Sequence, residues 1–219
     1  RGKGGTVRMR YYNADGGEAE MCGNGARCFG NFAAALLHHD KTAPLPFETM
    51  AGVVTATFEK DDNVTVNLTN PHSMQLFVLN ADPTVGADVH FLNTGVLHAF
   101  LFLDKLEDLN ISRLGAYLRY HEAFSPKGTN ANFARILSPG HIAIRTYERG
   151  VEDETLACGT GMTACALLHA VLTDAPSPIQ VDVAGGDTLK VGFQRTGDRF
   201  TDVTLTGPAD LVFTGDIQI

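Results

Sequence analysis

Two short runs of this 219-residue chain share one form. Cys22-Gly23-Asn24-Gly25 opens an alanine-rich apolar helix, and Cys158-Gly159-Thr160-Gly161, 136 residues later, opens another. Each has an acidic residue upstream, Glu20 or Glu154, and a second cysteine inside the helix, Cys28 or Cys165. One C-G-x-G run is weak evidence, because its residues are common. Two copies, each at the start of a helix, point to one structural unit used twice.

The motif has a direct physical reading. A cysteine at a helix N-terminus feels the positive end of the macrodipole, which favours its thiolate and lowers its pKa toward neutrality. Glycines let a ligand approach the backbone and leave N–H groups open. Such a helix end suits a carboxylate. Two of them facing each other would hold one carboxylate and put a sulfur on each side of it. That geometry serves to remove a proton from one face of a carbon and return one to the other, which is general acid–base work. Cys28 and Cys165, inside their helices, read as packing residues.

The rest of the chain is strand-rich. Thr6–Tyr12 alternates as a half-buried strand, and Asn13-Ala14-Asp15-Gly16-Gly17 is a turn cluster. The first helix is apolar nearly all round and is expected to be buried on most sides. Strands are predicted at Gly52–Glu59, Val64–Leu68, Leu76–Leu79 and His98–Leu103, and a strand pair at Asn132–Leu137 and His141–Tyr147. Asp108–Phe124 reads as an amphipathic helix interrupted by Gly115. The second cysteine helix runs to Leu172 and stops at Asp174-Ala175-Pro176. Four further strand candidates end the chain. Regular β-α-β alternation is absent, so an antiparallel α+β fold is expected rather than a Rossmann-like sheet. Asn70-Pro71 and Gly207-Pro208 are the expected crossing points between two lobes.

Composition narrows the function. Twenty-five acidic against 17 basic residues, net −8, argue against a nucleic-acid binder. No apolar run approaches the roughly 18–20 residues of a membrane span. Four cysteines are too few for a disulfide scaffold, and no export signal is evident, so free thiols in a reducing cytoplasm are expected. No metal is expected: Cys22…Cys28 and Cys158…Cys165 lack the spacing of structural zinc sites, and the histidines show no H-E-x-x-H run. A Cys-His-Asn nucleophile is a rival reading, but it leaves the duplicated motif unexplained.

The motifs resemble those of the diaminopimelate epimerase family. Tyr12-Asn13-Ala14-Asp15-Gly16 with Met21-Cys22-Gly23-Asn24-Gly25-Ala26-Arg27-Cys28 is similar to the family's first active-site motif. Glu148-Arg149-Gly150-Val151, Glu154-Thr155 and Ala157-Cys158-Gly159-Thr160-Gly161 resemble its second, and Thr129-Asn130-Ala131-Asn132-Phe133 resembles its T-N-x-x-F strand. The resemblance implies two pseudo-symmetric lobes, each an antiparallel sheet curled around a central helix. The lobes would be residues 1–71 with 207–219, and 72–206, with the active site between them. It implies a cofactor-independent epimerase that interconverts LL- and meso-diaminopimelate for lysine and cell-wall synthesis, commonly as a homodimer. By motif match Cys22 and Cys158 would be the acid/base pair. Gly23, Asn24, Gly159 and Thr160 would present backbone N–H groups to the reacting carboxylate. Asn13, Asn130, Glu148 and Arg149 would read the distal amino acid end, and His98 would support the site.

The chain departs from the family pattern in three places. It starts at Arg1 and has no G-N-D-F segment, so its natural beginning is expected to be missing. Val96 stands where many members carry an asparagine. Glu152-Asp153-Glu154 is one residue longer than the commonest form. Two alternatives stay open. One is a proline or hydroxyproline racemase, although those relatives usually carry histidine at the position of Asn24. The other is a catalytically incomplete amino-acid-binding protein.

Overall fold

The computed structural model describes residues 7–13, 16–80 and 87–216. Thr6, Ala14 and Asp15 of the elements expected above lie outside them. The described residues form three α-helices: α1 (Gly23–Leu36), α2 (Ile111–Arg119) and α3 (Gly159–Thr173). The strands are β1 (Tyr11–Tyr12), β2 (Glu18–Ala19), β3 (Leu45–Thr49), β4 (Gly52–Phe58), β5 (Val64–Asn67), β6 (His72–Asn80), β7 (Asp88–Asn93), β8 (Leu97–Phe102), β9 (Asn130–Ser138), β10 (His141–Glu148), β11 (Asp153–Thr155), β12 (Ile179–Val183), β13 (Thr188–Thr196) and β14 (Arg199–Gly207).

All but β1 and β2 join one continuous sheet in the order β3-β4-β5-β14-β13-β12-β10-β9-β8-β7-β6, with β11 on β10. The pairs are antiparallel except β8–β9 and β10–β12. The fold is α+β and two-lobed. One part of the sheet wraps α1 with β3, β4, β5 and β14; the other wraps α3 with β8, β9, β10, β12, β13 and β14. Strand β14 touches both helices and so forms the seam.

Alternation along β9 and β10 determines which side chains reach α3. Ala134, Ile142 and Ile144 join the core around that helix, while Ala131, Phe133 and Tyr147 face the smaller core under α2. Continuing the period of two, Asn130, Asn132, Thr146 and Glu148 follow on the α3 face. The apolar stripe therefore turns polar at the end of both strands that lies nearest the start of α3.

Several sequence expectations are corrected. Helix α1 is not buried on most sides: Phe32 is 60% and Leu36 63% exposed, and Cys28 is exposed rather than packed. Helix α3 is the sheathed one as far as Ala170, with Cys165 at 0%. Alanine-rich sequence looks alike in both helices, but α3 packs on six strands and α1 on four. Residues 7–10 alternate in burial as expected, yet only Tyr11 and Tyr12 form a strand, with Arg8 bridging Glu48. Strands β3 and β7 are additional; β3 contains Pro46 and lies at a sheet edge, where proline is tolerated. The last described segment holds three strands, not four. Residues 208–216 form none, and Leu211, Val212 and Phe213 are exposed.

Gly115 does not interrupt α2 but lies inside it, against β10. A methyl there would overlap the Tyr147 side chain. Gly115→Ala should gain about 1 kcal/mol in helix propensity and lose about 1–3 kcal/mol to overpacking. We expect net destabilisation, read as a lower urea midpoint; a raised midpoint would show that the α2–β10 contact is loose.

Candidate active site

Cys22 and Cys158 are the N-cap residues of α1 and α3, each with extended backbone (φ −138° and −111°). The two helix starts touch. A methyl built on Gly159 would lie 3.3 Å from Gly23 Cα and 3.4 Å from the Asn24 nitrogen. The same test places the Leu205 side chain of β14 3.1 Å from Gly23 and 3.2 Å from Gly159, so one leucine floors both ends. Glycine at both positions is what lets two helix termini approach so closely.

The two sulfurs sit in different surroundings. Cys22 is half-buried, and its Sγ accepts the Gly25 N–H at 3.4 Å. Cys158 is only 7% exposed and makes no such cap. Its Sγ lies 3.6 Å from Thr160 Oγ1. Burial first, then the Glu148 carboxylate, push the Cys158 thiol up to about 12; the Thr160 hydroxyl and the Gly161 N–H pull the other way. The expected lowering toward neutrality is thus not met at Cys158. Removal of the sulfur from water outweighs the helix dipole there.

A buried hydrogen-bond chain stands behind Cys158. Asn132 Nδ2 donates to Ala99 O at 3.1 Å, which fixes the amide's orientation, and its Oδ1 accepts from Thr146 Oγ1 at 2.9 Å. The same Nδ2 lies 3.2 Å from His98 Nδ1. That nitrogen must accept, so the neutral ring carries its proton on Nε2 and donates to Thr160 Oγ1 at 2.9 Å. The Thr160 proton is then free to point at Cys158. The sequence marks Asn132 and Gly161 only as members of motifs, with no site role of their own, and does not mark Thr146 at all. Gly161 is required because any side chain there would overlap Asn132 Oδ1.

The remaining predicted residues are placed as follows. Asn24 Nδ2 donates to Ala157 O at 3.1 Å, bridging from α1 to the residue before Cys158. Glu148 accepts from Thr155 Oγ1 at 2.9 Å, and burial raises its carboxyl. Arg149 donates to Lys127 O at 3.2 Å, and its backbone N–H donates to Asn130 Oδ1 at 2.7 Å. Asn130 is buried and also donates to Leu97 O at 3.2 Å, so it ties the Arg149 turn to β8. Asn13 is exposed in a turn closed by Gly16 and Gly17. Glu154 holds Arg145 through two 2.7 Å hydrogen bonds, which anchors β11. Tyr11, read only as a strand residue, lies against the start of α1, its ring 3.4 Å from a methyl built on Gly25; its phenol is raised chiefly by Cys22, then by burial, with Glu148 and Cys158 contributing. Among the described residues no cluster of three His, Cys, Asp or Glu could hold a metal ion, and no helix is long and apolar enough to cross a membrane.

Fold and site define a two-lobed α+β protein with a cysteine at each of two touching helix starts, and the fold is one found in solved structures. A probable proline racemase from Agrobacterium radiobacter superposes with a TM-score of 0.69 at 18% identity, over 95% of this chain and 71% of that one. A putative phenazine biosynthesis PhzC/PhzF protein from Clostridium difficile gives 0.66 at 15% identity, over 100% and 81%. At these identities the likeness is one of fold. The family model for diaminopimelate epimerase matches residues 2–74 and 90–212. Diaminopimelate epimerases from Hydrogenobaculum sp. and Aquifex aeolicus are each 41% identical, over 94% and 96% of this chain and 73% and 74% of their own lengths. The chain belongs to the diaminopimelate epimerase family, and so to a family of isomerases.

His98 gives the site a pH signature. It is fully buried, and burial, helped by the Arg149 charge, pushes its imidazole down to about 3. Above about pH 6.5 both folded and unfolded states hold it neutral. Below that, the unfolded chain takes up a proton that the native protein refuses. Stability therefore falls by up to about 1.4 kcal/mol per pH unit until about pH 3. Burial lowers His90 and His169 as well, which adds loss of the same sign. In urea titrations from pH 7 to 4.5, His98→Gln should show a shallower acid slope, by about one proton; an unchanged slope would count against the assignment.

Proposed function

We propose that this protein interconverts LL- and meso-diaminopimelate by two-base transfer of the α-proton, without a cofactor, in lysine and peptidoglycan precursor synthesis. The observation that carries the reading is the contact between the two cysteine-capped helix starts. The substrate's reacting carboxylate would lie against the N–H groups of Gly23, Asn24, Gly159 and Thr160, where two helix dipoles favour an anion. One sulfur, as thiolate, takes the α-proton from one face of the carbon. The other, as thiol, gives its proton to the opposite face. The carbon ends inverted, and the sulfurs have exchanged protonation states. Asn13, Glu148 and Arg149 supply polar and charged groups suited to the distal ammonium and carboxylate, Asn130 holds the Arg149 turn, and His98 acts through Thr160.

The elevated Cys158 thiol makes Cys158 the protonated partner in the substrate-free protein, so Cys22 is the base in one direction of the reaction. We also propose lobe limits of 1–71 with 207–219, and 72–206; β14 then forms the shared seam. The four free cysteines suit a cytoplasmic setting. The family resemblance supports a homodimer, which light scattering at twice the chain mass would register.

Cys22→Ala and Cys158→Ala should each lower epimerisation by about 10³-fold, the scale of a lost general acid or base. Appearance of the second isomer in deuterated water reads this, and normal turnover in both variants would sink the mechanism. A substrate panel including proline and hydroxyproline separates the racemase alternative. In the direction that uses Cys158 as acid, kcat/KM should fall only well above pH 9. A decline that begins below pH 8 would contradict Cys158 as the protonated partner.

A further inference from the structure

Arg27 stands in the first turns of α1 and is only 5% exposed. Its Nε has no hydrogen-bond partner among the described residues and lies against Gly207 at the end of β14. Burial lowers its pKa, a sign of how poorly the site suits a cation. An apolar side chain of similar length would normally be as stable there, or more so, because a buried ion is costly to desolvate. Packing therefore does not explain an arginine at this position.

Its side-chain bond among the described residues suggests an explanation. Nη1 donates to Asn24 Oδ1 at 2.9 Å, a pairing three residues apart on one helix face. Holding that oxygen fixes which way the Asn24 amide points. Its Nδ2 is then directed at Ala157 O, 133 residues away and immediately before Cys158. The chain Arg27–Asn24–Ala157 crosses from one lobe to the other beside both sulfurs. A backbone amide at Gly23 or Asn24 cannot turn freely while the Asn24 side chain is held at both ends.

We infer that Arg27 is a positioning residue for the proton transfer: through Asn24 it ties the start of α1 to Ala157 and so sets the spacing of the two cysteine-bearing helix ends. The inference rests on the reaction proposed above. Spacing matters because a misplacement of about 1 Å can cost about 10²-fold in rate. Lysine would keep the charge but not the planar guanidinium whose Nη1 reaches Asn24 Oδ1.

The test compares Arg27→Met, Arg27→Lys, Asn24→Ala and the double variant Arg27→Met/Asn24→Ala. Arg27→Met should lower kcat about ten- to hundred-fold with KM changed less than about threefold. Its thermal midpoint should be unchanged or higher. Arg27→Lys should recover part of kcat, and the double variant should be no worse than the worse single one. A thermal midpoint that falls together with kcat, or additive losses in the double variant, would overturn the inference; Asn24→Ala carries the test if Arg27→Met does not fold. A second readout needs no substrate: the rate at which diamide joins Cys22 to Cys158, mapped by peptide mass. We expect a several-fold slower rate in Arg27→Met. Equal rates, or no bridge in the unmodified protein, would overturn the strap. If the unmodified protein fails to epimerise diaminopimelate while the bridging rate still slows, the reaction assignment fails and the strap stands.

Discussion

Two helix N-termini that point at the same spot oppose each other, because both carry the positive end of a macrodipole and several N–H groups without partners inside the helix. Here they meet over a single leucine, with glycine on both sides of the contact. Most of the architecture can be traced to that constraint. Each helix must be held largely from outside, because the dipoles of the two termini give each other no attraction. The sheet does this by wrapping α1 and α3 in turn, with β14 running between them. In the proposed reaction these helix-start donors would meet the amino acid carboxylate.

The two halves repeat a motif but not an environment. On the α3 side, strand periodicity delivers Asn132, Thr146 and His98 to the back of Thr160, and these groups bond to one another, to backbone and to the Thr160 hydroxyl. Such a closed chain orients a hydroxyl without exposing a charge, since His98 stays neutral in its fully buried place. On the α1 side the corresponding work falls to Arg27 and Asn24, a charged group and an amide. A symmetric site could not favour one starting protonation state. Unequal burial of the sulfurs, half-buried at Cys22 and nearly complete at Cys158, breaks that tie.

The sequence carried the site's outline because its signals are local. A C-G-x-G run followed by alanines can be read as a capped helix with no knowledge of what surrounds it, and both helices begin one residue after the cysteine. Glu148 and Arg149 were legible only through resemblance; as isolated residues they form an ordinary charged turn. What could not be read was nonlocal. Nothing near Asn132 announces that it will face Gly161, because the contact depends on the pairing of β9 with β10 and on the docking of α3. Gly115 misled for the same reason: a helix-breaking residue locally, it marks close packing against Tyr147. The burial of α1 was misread because hydrophobic composition reports a tendency to be covered, not the number of strands available to cover it.

Leu205 shows how the seam joins stability to the proposed chemistry. Strand β14 pairs with β5 on one edge and β13 on the other, so its hydrogen bonds span the two wrapped helices. Leu205 pairs with Val66 and Val191 in those ladders and is itself fully buried. Its side chain then contacts both helix-start glycines. A shift in the register of β14 would move that floor, and with it the relation between Gly23 and Gly159. Register errors are strongly opposed here, since a one-residue slip would turn Val203 and Leu205 away from the core. The energy that holds the strand in register is therefore the same energy that keeps the two sulfur-bearing turns in contact.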